Sequence, residues 1–278
     1  MHFSIVTPSF RNSDWLKLCI PSVADQGVSL EHIVQDSCSD DGTQEWLPLD
    51  TRVRAFIEKD RGMYDAVNRG FRRSQGEILA YINCDEQYRP GALQAVWDFF
   101  ERHPQIEVAF AHSIVIGPGG EYLCDRRACL PGEWHSKVSG NISILTAATF
   151  YRRSLMMERG LFFDADHRDV SDVLWVLKLI EKRVPMAILD CFTSVFTDTG
   201  DNMNLRPNGI REKAELLASA PALVRRAKPL VVAHYRWRRF LAGHYRRTAP
   251  YDYAIYTKSS PKTRTRIHVA NPSFRWVR

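Results

Sequence analysis

The sequence predicts an α/β fold with a mostly parallel central sheet flanked by helices. Three observations predict it. Apolar, β-branched runs alternate with helical patterns through the first hundred residues. The runs are continuous, not alternating apolar and polar, which suits strands buried on both faces. The helical patterns between them are about 10–15 residues long, the length of a βαβ crossover.

Taken in order, "FSIVTPSF" (3–10) reads as a strand that stops at Thr-Pro-Ser. "SDWLKLCIPSVADQ" (13–26) carries Trp15, Leu18 or Cys19, and Ser22 at helical spacing, with Ser13 as the expected N-cap. "LEHIVQD" (30–36) is a second strand, closed by the turn-rich "SCSDDG", and "TQEWL" is a short helix. "VRAFIEK" (53–59) is a third strand, "GMYDAVNRGFRRS" (62–74) a helix and "EILAYIN" (77–83) a fourth strand. "PGALQAVWDFFERH" (90–103) reads as a helix with Pro90 at its first position, and "IEVAFAHSIVIG" (106–117) as a strand. Residues 117–150 are less regular, with a turn at "GPGGEY". Beyond them, "FYRRSLMMERGLFFD" reads as a strand end, a short helix and a turn at Gly160. "SDVLWVLKLIEKRV" (171–184) is an amphipathic helix with Ser171 as the expected N-cap, and "MAILDCFTSVFTDTGDN" a strand and loop.

Open α/β sheets bind ligands beyond the carboxyl ends of their strands. Four polar stretches fall there: Thr7-Pro8-Ser9, Asp36, Asp60 and Asn83-Cys84-Asp85-Glu86. Adjacent carboxylates in one cleft repel each other unless a cation lies between them. Mg²⁺ commonly takes one or two carboxylates together with substrate phosphates, so Asp85 could hold a metal that grips a diphosphate. A solvated turn charging the start of the next helix would also place acids there. Asp40 and Asp41 read as turn acids, whereas Asp36, which ends its strand directly, is the better functional candidate; Asp60 is equally compatible with a turn before Gly62. Asp172, in the first turn of its helix, is on spacing alone a structural acid. No GxxxxGK[ST] or GxGxxG loop is present to cradle phosphates, and a nucleotidyltransferase would need a glycine-rich start that "TPSFRNSDW" lacks.

The apolar runs, such as "ISILTAATFY", are too short to span a bilayer, and the start shows no signal-peptide pattern. Cysteines 19, 38, 84, 124, 129 and 191 show no CxxC spacing and read as reduced thiols of a cytosolic chain. The net charge of +6 conceals an asymmetry. Residues 1–204 hold 21 Lys and Arg against 29 Asp and Glu, whereas residues 205–278 hold 17 against 3. Such a division suggests a basic tail with its own partner.

Three stretches together, "FSIVTPSFRNSDWLKLCIPSVADQ", "HIVQDSCSDDGT" and "DRGMYDAVNRGFRRSQGEILAYINCDE", resemble a family 2 glycosyltransferase of the GT-A (Rossmann-like) fold. The likeness is strong over residues 3–103 and weaker to 204. It implies a catalytic domain at 1–204, with a nucleotide-sugar-binding half (1–103) and an acceptor half (104–204), followed by a basic, largely helical extension at 205–278. It implies an inverting, metal-dependent enzyme of hexosyltransferase type. The sugar would pass from a nucleotide donor, most often UDP, to a hydroxyl of a glycan or lipid-linked saccharide in polysaccharide biosynthesis. The resemblance carries Thr7, Pro8, Ser9, Asp36, Asp60, Gly62, Asn83 and Asp85 to the nucleotide sugar, Asp85 to a Mg²⁺ or Mn²⁺ ion, and Asp172 to the general base. Asn83 and Glu86 stand where the family more often has Asp, Leu174 falls where a second acid is common, and Asp169 is a neighbouring alternative to Asp172. Asp198 and Asp201 are candidates for a further metal ligand. A non-catalytic nucleotide-sugar-binding protein of the same fold is the alternative.

In the tail, Leu230, His234, Trp237, Leu241 and Tyr245 share one helical face, with Arg236, Arg239, Arg246 and Arg247 largely off it. A basic helix bordered by aromatics reads as a peripheral contact with the cytoplasmic face of a membrane. The competing readings are a helical hairpin packed on the core and a nucleic-acid contact. The acidic catalytic half argues against nucleic acid.

Overall fold

The computed structural model describes residues 1–200, 207–246 and 248–276. β1 (Phe3–Ser9), β2 (Leu30–Asp36), β3 (Arg54–Ile57) and β4 (Ile78–Tyr81) form on the four predicted runs. β1 pairs in parallel with β2 and β4, and β2 with β3. Helices α1 (Ser13–Ala24), α2 (Thr43–Trp46) and α3 (Met63–Arg72) make the crossovers. Then come β5 (Glu86–Tyr88), α4 (Ala92–Arg102), β6 (Val108–Ile116), β7 (Tyr122–Arg126), α5 (Glu133–Ser139), β8 (Thr149–Arg152), α6 (Arg153–Met157), α7 (Ser171–Glu181) and β9 (Met186–Thr197). The sheet order is β3-β2-β1-β4-β8-β6-β9-β5, with β7 also paired to β6. β8 is antiparallel to both its neighbours and β5 is antiparallel to β9, while β6 and β9 are parallel.

Two apolar layers sandwich this sheet. On one face Val6, Leu79 and Phe110 pack with Val67 and Phe71 of α3 and Trp175 and Leu179 of α7. On the other, Phe3, Ile5 and Ala80 pack with Cys19 and Val23 of α1 and Val96 and Phe100 of α4. The six cysteines form no disulfide.

The helix starts differ from the sequence reading, for one physical reason. Ser13 and Ser171 are the first residues of α1 and α7, not their N-caps; Asn12 and Val170 stand there, with no capping side chain of their own. Distant carboxylates serve these ends instead: Ser13 donates its N–H to Asp41 at 2.8 Å, and Val170 donates to Glu212 at 3.1 Å. Pro90 lies ahead of α4, which begins at Ala92 after Gly91 at φ 72°. β5 has no local signal, because its three buried residues are polar or aromatic and become a strand only against β9.

The basic extension contributes α8 (Pro207–Ala218), α9 (Ala222–Arg226) and α10 (Lys228–Leu241). It then turns into a hairpin of β10 (Tyr251–Thr257) and β11 (Ser260–Val269), which the helical spacing did not indicate. Tyr253, Ile255 and Val269 of this hairpin pack on Ile114, Ile116 and Val195 of the main sheet. Gln87 and Tyr256 close the junction with reciprocal bonds of 2.8 Å.

Candidate active site

The carboxyl ends of β1–β4 converge, and backbone bonds stitch them together. Ser9 and Asp36 are register partners across β1 and β2. Ser37 donates its N–H to the Ser9 carbonyl, and its hydroxyl accepts the N–H of Asp60. Asp36 is fully buried and accepts both the N–H and the hydroxyl of Ser39, at 2.8 and 2.7 Å. Pro8 presents its carbonyl to the Cys84 thiol at 3.3 Å, and the Ser9 hydroxyl is buried without a partner among the described residues. Thr7 behaves differently. Its hydroxyl points to the α1 side, bonded to His32 at 2.9 Å, so its side chain supports the strand from behind.

Asn83 and Asp85 lie half-buried between β4 and β5, and Glu86 is buried in β5. Cys84 packs the other way, against Leu16 and Ile20 of α1. Glu86 accepts the N–H of Asn83 at 2.8 Å with one oxygen, while its other oxygen is buried and unpartnered. Burial pushes the Asp85 carboxyl above the usual carboxylate range. Burial and then the neighbouring Asp85 push Glu86 up to about 8. Among the described residues no cationic side chain pairs with either acid. Two adjacent buried carboxylates with an orphaned oxygen form an oxygen-only donor set lacking its counter-charge, which fits a hard divalent ion. Asp85 would hold it, because Glu86 is turned to the backbone. Asp198 does not join them: its carboxylate accepts the Trp276 indole N–H at 2.8 Å and the Gly200 N–H at 3.3 Å. Asp201 lies outside the described residues. No cluster of three metal-ligating side chains occurs among the described residues.

The segment 60–70 joins these strand ends to the chain ahead of α7. Asp60 accepts the N–H of Gly62 at 2.9 Å. Gly62 opens α3 at φ 134°, where a side chain would be strained. Gly70 faces β1 so closely that an added Cβ would lie 2.5 Å from the Val6 side chain. Between them Asn68 donates to the Phe163 carbonyl at 2.8 Å and accepts the Phe163 N–H at 3.1 Å. That double bond pair fixes the chain that leads into α7.

Asp172 sits half-buried in the first turn of α7. Burial raises its carboxyl to about 6, opposed by the N–H of Val173 at 2.8 Å, the Tyr64 hydroxyl and the charge of Lys213. Tyr81, at the end of β4, lies within electrostatic reach of both Asp172 and Glu86, and its hydroxyl is buried. Asp172 and Glu86 thus both act electrostatically on one buried tyrosine. Asp169 is turned away, accepting the Asn208 amide at 2.6 Å.

Sequence reasoning missed Tyr64, Tyr81, Glu212 and Lys213. Glu212 is 3% exposed and accepts the N–H groups of Arg168, Asp169 and Val170 at 3.1, 3.0 and 3.1 Å. One carboxylate of the basic extension thus caps the helix that carries Asp172. Glu212→Ala is expected to leave three N–H groups unpaired, destabilising the fold by about 1–3 kcal/mol and lowering turnover beyond what lost protein explains. Urea unfolding and kcat per folded molecule check this; wild-type kcat with wild-type stability would refute it.

The fold and site together describe a class: an α/β protein with polar and acidic side chains gathered at the carboxyl ends of parallel strands and a further acid, Asp172, in the first turn of α7. Comparison with known proteins narrows this. The Glycosyl transferase family 2 profile matches residues 4–159, and the chain belongs to that family: it is a glycosyltransferase. It is 30% identical over 102 residues to the putative teichuronic acid biosynthesis glycosyltransferase TuaG of Bacillus subtilis, covering 34% of this chain and 40% of that protein. An uncharacterized glycosyltransferase of Mycobacterium tuberculosis, Rv1514c, is 27% identical over 215 residues, covering 74% of this chain and 79% of the relative. In fold the chain is similar to S. aureus TarS 1-349 solved with UDP-GlcNAc, with a TM-score of 0.62 and 17% identity, covering 87% of this chain and 73% of that one. The mannosyltransferase PcManGT of Pyrobaculum calidifontis, solved with GDP-Man and Mn²⁺, matches at a TM-score of 0.53 and 15% identity, with 87% and 73% covered. These likenesses establish the GT-A-like fold.

Proposed function

We propose that the chain moves a sugar from a nucleotide-sugar donor, UDP-linked in the first instance, to a hydroxyl of a glycan or lipid-linked saccharide during polysaccharide or glycoconjugate biosynthesis. The observation that carries this reading is the acidic pair Asp85 and Glu86 at the end of β4, without a cationic partner among the described residues, together with Asp172 in the first turn of α7, whose carboxyl burial raises to about 6. Residues 1–103 form the donor half, with Pro8, Ser9, Asp36, Asp60, Gly62, Asn83 and Asp85 around the nucleotide sugar; residues 104–204 form the acceptor half. The TarS complex makes UDP-GlcNAc the first donor to test.

Asp172 takes the proton of the acceptor hydroxyl as that oxygen attacks the anomeric carbon. The bond from that carbon to the diphosphate oxygen breaks in the same step, which inverts the configuration. Its pKa leaves Asp172 ionised at neutral pH yet basic enough to accept a proton. A Mg²⁺ or Mn²⁺ ion at Asp85 would offset the charge developing on the departing diphosphate.

A thermal-shift panel of UDP-, GDP- and dTDP-sugars tests the reading, since a ligand of the native state raises apparent stability. A rise in melting temperature with UDP-sugar that requires Mn²⁺ or Mg²⁺ is expected. Absence of any shift across the panel with metal present would reject it.

The extension supports a peripheral membrane contact. α10 is held to the body through Tyr235, stacked on His135 at 3.7 Å, and Arg238, which donates to the Leu130 carbonyl. Its other side leaves Leu230, Trp237, Phe240 and Leu241 57–73% exposed beside Arg236. Such a face is suited to an anionic lipid surface. No helix among the described residues is long and apolar enough to cross a membrane. Because the β10–β11 hairpin packs on the main sheet, point substitution is the cleaner test than truncation. Trp237→Ser with Phe240→Ser is expected to abolish co-sedimentation with phosphatidylglycerol vesicles at unchanged stability; unchanged binding would exclude the contact.

A further inference from the structure

Where the tail crosses the edge of β7, the structure gathers a second charged cluster. Arg127 beyond β7, Arg239 of α10, and His244 and Arg246 after it line one small cavity with Asp125 and Thr248. None of the three guanidiniums makes a hydrogen bond or ion pair among the described residues, and the Arg239 Nε and His244 Nδ1 are buried with no partner. Aromatic faces hold the arginines in place: Arg239 lies 5.2 Å from the Tyr245 ring centroid and 5.9 Å from Tyr235, and Arg127 lies 6.0 Å from Phe192. The single acid lining the cavity among the described residues, Asp125, accepts three hydroxyls, those of Tyr251 at 2.5 Å, Tyr122 at 3.0 Å and Thr248 at 3.4 Å.

A buried guanidinium donor without an acceptor is costly, and three guanidiniums outnumber the one carboxylate that lines the cavity with them, so an anionic ligand would offset both. We infer that this cluster binds a phosphate group, held by the forked N–H donors of Arg127, Arg239 and Arg246 with His244 beside them. Guanidinium forks match phosphate oxygens in geometry as well as charge, and Arg246, exposed at the rim, can move aside to admit the ligand. Burial, and then the neighbouring Arg239, His112 and Arg127, hold His244 down to about 4, with Asp190 opposing them. The phosphate could be dissolved or part of a phospholipid headgroup. Arg239 faces the body with Tyr235, on the side of α10 away from the exposed Trp237, so a headgroup would have to enter past Arg246 at the rim.

The inference concerns binding alone and does not depend on the glycosyl-transfer reading. Two probes test it on the full chain at fixed ionic strength: titration calorimetry with inorganic phosphate, and co-sedimentation with phosphatidylglycerol vesicles. Arg246→Ala, whose side chain is exposed, should fold normally; Arg239→Gln is the second variant, with melting curves in phosphate-free buffer confirming the fold of both. Each is expected to weaken binding of at least one probe by roughly tenfold or more. Loss confined to the calorimetric arm identifies a dissolved phosphate. Loss in the vesicle arm, with competition by inorganic phosphate, identifies a headgroup. If wild type binds neither probe, or both folded variants bind both probes as wild type does, the site does not exist.

Discussion

Asp172→Asn is expected to lower kcat by roughly a hundredfold to ten-thousandfold, the usual contribution of a positioned base, with donor-induced thermal shifts retained. The variant should also be at least as stable as wild type at neutral pH, and the sign follows from the shift. The carboxyl titrates at an ordinary 3.8 when unfolded and at about 6 when folded. Below the lower value both states are protonated and the group contributes nothing. Between the two the folded state alone keeps its proton, so stability declines as pH rises through this window and stays lowered above it. Asparagine can still accept the Val173 N–H but never ionises, so it removes that penalty. The wild-type rate should rise tenfold per pH unit below about 6 and then level off. A variant that melts normally and retains near-normal turnover would remove Asp172 from the mechanism, leaving Asp169 as the acid to test.

Asp85→Ala is expected to abolish metal-dependent transfer, a loss on the order of a thousandfold or more, and to eliminate the metal requirement of donor binding. In metal-free buffer the same substitution should raise the melting temperature. Asp85 is held above its ordinary pKa by burial and crowds Glu86, so removing it relieves an unfavourable charge. A stabilised protein that has lost function is the signature of a carboxylate kept for a ligand. Wild-type turnover, or a melting temperature that falls, would contradict the assignment. Assaying wild type after chelation and metal restoration separates loss of the ion from loss of the side chain.

The sheet and the polar strand ends of the candidate site were legible because they are written locally. Continuous apolar runs ending in polar residues mark buried parallel strands and the rim where ligands bind. The segment 60–70 is legible for the same reason: Gly62 is needed at φ 134° and Gly70 where Val6 approaches, constraints acting within one helix and its neighbouring strand. Thr7 shows the limit of such reading. Its place at a strand end pointed to the ligand, whereas pleating turns its hydroxyl to His32.

By itself, then, the sequence determined the α/β sheet, the order of its polar strand ends, Asp85 and Asp172 as the acids to watch, and a tail of opposite charge. Tertiary structure decided how those acids are set. It raised the pKa of both by burial, turned Asp169 toward Asn208, and brought Glu212 across 42–44 residues of chain to cap the approach to α7. It also made a strand of Glu86–Tyr88, a hairpin of the last basic stretch, and a cluster of Arg127, Arg239 and Arg246. The reason is one of range. Periodicity and turn chemistry record what a residue meets within a few positions along the chain. A carboxylate's pKa, a helix cap supplied from afar and a convergence of cations depend on which distant surfaces packing brings into contact.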